Sequence, residues 1–96
     1  MYVRVARWEG VSAENIRAAA EEIGGREGPP EGVPAKRLLM VADEDGGRLM
    51  MIPFFDSEED LATANETLQG MTPPGEMGSP SSVEMYEVKF DLTAPQ

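Results

Sequence analysis

The chain has 96 residues, lacks cysteine and histidine, and carries 18 acidic against 8 basic residues, for a net charge of −10. This composition excludes disulfides and Ser/His/Asp or Cys/His catalytic sets, and its acidity disfavours nucleic acid and anionic membranes as partners. No apolar run could span a membrane and no signal-peptide pattern opens the chain, so we expect one cytoplasmic domain over residues 1–96 without a cofactor.

Polar and apolar residues alternate in four segments and follow helical spacing in two others. The predicted elements are, in chain order, a strand at 2–9, a helix from Ser12 to Gly24, strands at 36–42 and 48–55, a helix at 57–69 and a strand at 83–92. This order predicts an α+β fold, a ferredoxin-like β-α-β-β-α-β sandwich with a four-stranded antiparallel sheet.

Several local signals refine these elements. Ser12 and Ser57 are the predicted N-caps of the two helices, because serine oxygens accept hydrogen bonds from the first helical amides. Pro53 should interrupt the pairing of the third strand, since proline has no N–H to donate. Met71 would extend the apolar stripe of the second helix, and the Gly/Pro/Ser-rich run at 70–82 predicts a long loop.

Both helices of this fold cover the same face of the sheet, so the other face lies open. On the first strand we expect Val3 and Val5 to face the helices and the even-numbered residues, Tyr2 to Trp8, to lie on the open face. On the last strand we expect Val88 and Phe90 to face the helices, with the open face carrying Met85, Glu87 and Lys89.

The second and third strands are apolar on both faces, with Leu38 and Met40 against Leu39 and Val41 on the second strand. Runs of this kind are typical of sheets that are covered on both sides. A second subunit can supply the missing cover, so we predict a homodimer through the open sheet face.

The runs 2–10, 54–61 and 83–88 resemble the dimeric α/β barrel superfamily, which includes the antibiotic-biosynthesis-monooxygenase-like proteins. The resemblance implies a dimeric α/β barrel with a small, mostly apolar cavity. Superfamily members perform quinone-forming oxygenation, haem degradation, dechlorination or stress response. Haem-degrading relatives hold iron with a histidine, which this chain lacks. Oxygenase relatives use Asn, Trp and Tyr, but Asn15 and Asn65 lie on predicted helices, so no catalytic asparagine is carried over.

Six residues expected on the open face are candidate ligand contacts: Arg4, Trp8, Met40, Met50, Met85 and Glu87. Trp8 would stack on an aromatic ligand or serve as an interface aromatic. Arg4 would bind a carboxylate or phenolate, or form an ion pair with Glu87. The three methionines would form an adaptable apolar lining or an ordinary core.

Two functions stay open at this point. One is a cofactor-independent monooxygenase-like protein that acts on a small aromatic molecule. The other is a non-catalytic small-molecule-binding or stress-responsive dimer. The run Asp43 to Gly46 resembles the start of a calcium loop, but Phe54 stands where the twelfth-position glutamate is required, so no metal site is predicted.

Overall fold

The computed structural model describes residues 1–26, 28, 32–70 and 78–95. The elements are β1 (Tyr2–Trp8), α1 (Ala13–Gly24), β2 (Arg37–Asp43), β3 (Arg48–Phe55), α2 (Glu58–Gln69) and β4 (Ser82–Glu87). The strands form an open four-stranded antiparallel sheet in the order β2-β3-β1-β4. The predicted ferredoxin-like fold is confirmed.

The local signals at the helix starts and at Pro53 are also confirmed. The Ser12 and Ser57 hydroxyls each accept a hydrogen bond, at 3.1 Å, from the amide three residues later. Pairing between β1 and β3 stops after Val3–Phe54 and resumes in the same register at Ala6–Met51. Pro53 therefore interrupts the β1–β3 ladder without shifting it, while the β2–β3 ladder continues through the pair Leu38–Pro53.

The last strand is shorter than predicted and ends at Glu87 rather than Leu92. Its partner β1 begins at Tyr2, and the Val88 amide donates to the Met1 carbonyl at 2.8 Å, so no strand is left for later residues to pair with. Phe90 is 79% exposed, and its predicted position facing the helices is wrong. Met71 and residues 71–77 of the predicted loop lie outside the described residues.

The helices cover the side of β1 that carries its even-numbered residues, so the predicted faces of β1 are reversed. Ala6 and Trp8 pack in one buried cluster with Ile16 of α1. Tyr2 packs against a second cluster that contains Leu61 of α2. The faces of β4 are reversed with those of β1, because Val83 lies opposite Ala6 and packs against the first cluster.

The open face is the side of the sheet without helices. The alternation of side chains and the strand registers assign to it eight apolar or aromatic residues, Val3, Val5, Leu39, Val41, Met50, Ile52, Phe54 and Tyr86, and six polar ones, Arg7, Arg37, Asp43, Arg48, Ser82 and Glu84. An uncovered face with many apolar side chains still supports the prediction of a partner there. The residues that β1 and β4 contribute to this face differ from those predicted.

Candidate functional site

A buried arginine joins the sheet to α2. The Arg4 Nε donates to the Asn65 Oδ1 at 3.0 Å, and Arg4 is only 6% exposed. Among the residues that the structure describes, no other charged side chain is buried. Burial lowers the pKa of the Arg4 guanidinium, but an arginine starts so high that the group remains a cation at neutral pH.

The β4 strand forms one side of the surroundings of Arg4. Met85 lies directly opposite Arg4 across the β1–β4 ladder, and Glu87 lies opposite Tyr2. Alternation puts all four side chains on the helix side of the sheet. Met85 is 48% exposed, so the layer between β1 and α2 opens to solvent along β4.

Two ionisable groups on the same side of the sheet as Arg4, Tyr2 and Glu87, differ in charge at neutral pH. Partial burial and the carboxylates of Glu58 and Glu87 raise the pKa of the Tyr2 hydroxyl, which therefore keeps its proton. A hydrogen bond from Lys89 lowers the pKa of the Glu87 carboxyl, which is therefore ionised. This side of the sheet thus carries a buried cation, a neutral hydroxyl and an exposed carboxylate.

The predicted Arg4–Glu87 ion pair is wrong. Arg4 donates to Asn65, whereas Glu87 accepts from Lys89. The register explains the difference, because Met85 occupies the position opposite Arg4 and Glu87 lies one pair further along.

The remaining predicted contacts lie elsewhere. Trp8 and Met40 belong to the cluster around α1, on the helix side rather than on the predicted open face. The Trp8 Nε1 donates to the Gly78 carbonyl at 2.9 Å. Met50 is on the open face as predicted, with its sulfur 3.1 Å from the Arg7 Nη1. The structure thus brings Arg4, Met85 and Glu87 onto one part of the sheet and separates them from the other three, and ligand binding by all six stays a prediction.

Two solved structures share this architecture. A candidate antibiotic biosynthesis monooxygenase from Deinococcus radiodurans superposes with a TM-score of 0.53 at 15% identity, with 100% of both chains covered. A second one, from Chloroflexus aurantiacus J-10-fl, gives a TM-score of 0.57 at 9% identity over 96% of both chains. The chain has an antibiotic-biosynthesis-monooxygenase-like fold. No protein-family model and no curated protein matches its sequence.

In this monooxygenase-like fold Asn65 belongs to the candidate site, although its position on a predicted helix gave no reason to expect a functional role. It lies four residues after Leu61 and three before Leu68, so it sits within the apolar stripe of α2. A polar side chain on the buried face of a helix needs a partner from the element that the helix covers. That spacing was the available signal, and the partner is Arg4 of β1.

A concavity lies between α1 and β2, away from Arg4. This groove encloses about 620 Å³, and its lining includes Arg17, Ala20 and Ile23 of α1 and Leu38 and Met40 of β2. Arg17 at its rim already pairs with Glu44 at 2.7 Å. Across the described ranges there is no cluster of potential metal-ligating side chains, and neither helix is long and apolar enough to cross a membrane.

Proposed function

We propose that the protein is a homodimeric α/β-barrel protein that binds a small aromatic molecule in the layer between β1 and α2. The observation that carries this proposal is the Arg4–Asn65 pair, a buried polar contact in a layer that opens to solvent along β4. Binding sites commonly combine apolar walls with a few polar groups that orient the ligand. We place the dimer in the cytoplasm and expect neither nucleic acid nor membrane as a partner.

The activity proposed for this site is oxygenation of the bound aromatic molecule: the two structural neighbours are named as monooxygenases, and the family resemblance implies an aromatic substrate and no cofactor. Non-catalytic binding is the second candidate, and the protonation states of the site favour it. Arg4 and Tyr2 both hold their protons at neutral pH, and the carboxylate of Glu87 is engaged with Lys89. No strong base therefore lies beside Arg4 among the described side chains to deprotonate a phenol.

1-Naphthol is expected to bind in this layer. In an amide NMR titration of the wild-type protein, the largest shift changes should fall at Arg4, Asn65 and Met85. Changes centred on the α1–β2 groove would contradict the proposed site. Oxygenation would convert 1-naphthol and one dioxygen into 1,4-naphthoquinone and water, so dioxygen uptake with naphthoquinone formation separates the enzyme from the non-catalytic binder.

The dimer is expected to dissociate when a charge is placed on the open face. Ile52 lies on β3 within the apolar surface of that face, and a face-to-face dimer would bury it. Burying an unpaired carboxylate costs several kcal/mol, so Ile52→Glu should yield single chains. Sedimentation equilibrium at micromolar concentration should give the mass of two chains for the wild type and of one chain for the variant.

Ala18→Glu is the matched control, since it adds the same charge at an exposed position of α1 and should leave the dimer intact. The wild-type interface should exceed about 1,000 Å² in total. A wild-type protein that sediments with the mass of one chain would refute the dimer.

A further inference from the structure

We infer that Arg4 recognises the carboxylate of an aromatic monoanion, with Asn65 as the residue that positions the guanidinium. This inference rests on the proposed function and adds to it the chemical class of the ligand. It follows from three observations: the charge partners of the basic residues, the geometry of the Arg4–Asn65 contact and the surroundings of Arg4.

Arg4 differs from the other basic side chains in its partners. Six of them form ion pairs with carboxylates: Arg7, Arg17, Arg26, Lys36, Arg48 and Lys89. Arg37 lies over the Phe54 ring at 5.3 Å. Arg4 is the most buried cation, and within residues 1–26, 28, 32–70 and 78–95 no carboxylate pairs with it. A buried cation without an anion is costly, so the site is suited to an anion that a ligand brings.

The Asn65 contact leaves the binding edge of Arg4 available. Asn65 accepts from Nε, so the two Nη groups keep their hydrogens for another partner. These two groups present parallel N–H bonds that match the two oxygens of a carboxylate. Asn65 holds the guanidinium at Nε, away from the two Nη groups. The pair of Nη groups, which form the fork, is therefore oriented before the ligand arrives, and this lowers the entropic cost of binding.

The surroundings of Arg4 favour a ligand that is mostly apolar and carries one negative charge. Met85 lies beside Arg4 and faces solvent, and methionine adapts to flat or irregular apolar groups. The single positive charge of Arg4 can balance only one negative charge on the ligand. The net charge of −10 repels polyanions, so a monocarboxylate fits better than a phosphorylated ligand.

The test compares 1-naphthoate with its uncharged analogue 1-naphthamide by isothermal titration calorimetry. Wild-type protein should bind 1-naphthoate about 10- to 100-fold more tightly than 1-naphthamide, the range expected for hydrogen bonds to a charged group. Arg4→Met should remove that preference, because it should weaken 1-naphthoate binding far more than 1-naphthamide binding and bring the two affinities to within about threefold. Arg4→Lys keeps the charge but loses the fork, so it should restore only part of the preference.

Arg17→Met is the matched control, because it removes one cation from the rim of the α1–β2 groove. It should leave the preference for 1-naphthoate unchanged. Loss of the preference in Arg17→Met but not in Arg4→Met would place the anion in the groove and overturn the inference. Should Arg4→Met not fold, equal wild-type affinities for the two compounds, or an Arg4→Lys variant with the full preference, would overturn it.

The 1-naphthol titration distinguishes the failure of this inference from that of the proposed function. If 1-naphthol shifts the amides around Arg4 while 1-naphthoate binds no better than 1-naphthamide, the aromatic site stands and carboxylate recognition is wrong. If none of the three compounds binds there, both proposals are wrong.

Discussion

Phe55→Ala is expected to lower the free energy of unfolding by about 3–5 kcal/mol, the usual cost of deleting a buried phenyl ring. Phe55 is 0% exposed and packs between β3 and α2 in one cluster with Val33, Leu61 and Ala64. Its removal would leave a cavity under the start of α2, which the surrounding backbone can close only in part. Urea unfolding followed by circular dichroism gives the change.

Phe90→Ala deletes the same ring from an exposed position after β4 and is the matched control. It should change the free energy of unfolding by no more than about 0.5 kcal/mol. A loss of similar size in both variants would show that Phe90 is packed in the assembled protein. A loss below about 1 kcal/mol in Phe55→Ala would contradict the core position of Phe55.

Asn65→Leu is expected to lower the free energy of unfolding by about 1.5–3 kcal/mol, because it removes the acceptor of a hydrogen bond from a buried charged group. Arg4→Met should have a much smaller effect, or stabilise the protein, because methionine fills similar space without the desolvation cost of the guanidinium. A large loss of stability in Asn65→Leu with little or none in Arg4→Met is expected if Arg4 is kept for function at the expense of stability.

A double-mutant cycle by urea unfolding tests the pairing directly. Combining Asn65→Leu with Arg4→Met should recover much of the loss in Asn65→Leu alone, which gives a clear coupling energy between the two positions. The same cycle between Arg4 and Glu87 should give a coupling energy near zero, since Glu87 accepts from Lys89. Strong coupling between Arg4 and Glu87 would contradict the observed register.

The order of the elements and the starts of both helices could be predicted from the sequence because strong local signals mark them. Ser12, Ser57 and Pro53 act through their own backbone neighbours, and the structure shows each effect where it was expected. The extent of β4 could not be predicted in this way. It depends on where β1 begins, and residues after Val88 have an alternating sequence but no strand beside them.

The faces of β1 could not be predicted from polarity because both of its faces carry apolar residues. Arg4 was assigned to the open face because Val3 and Val5 were expected to face the helices, yet a partner on α2 allows Arg4 to be buried. Val3 and Val5 consequently lie on the open face. The same reversal moved Trp8 and Met85 to the helix side. Met40 also lies there because it pairs with Met51, whereas Met50 pairs with Val41 and was assigned correctly to the open face.

The sheet order β2-β3-β1-β4 also constrains how the chain folds during synthesis. β1 emerges from the ribosome first, but its two neighbours are the third and fourth strands, and Val5 pairs with Glu84. The β2–β3 hairpin can form as soon as Phe55 has emerged, because its contacts are local. Until β4 follows, β1 keeps an unpaired edge that another nascent chain could join. Protection of that edge by a chaperone would therefore matter most during elongation between the third and fourth strands.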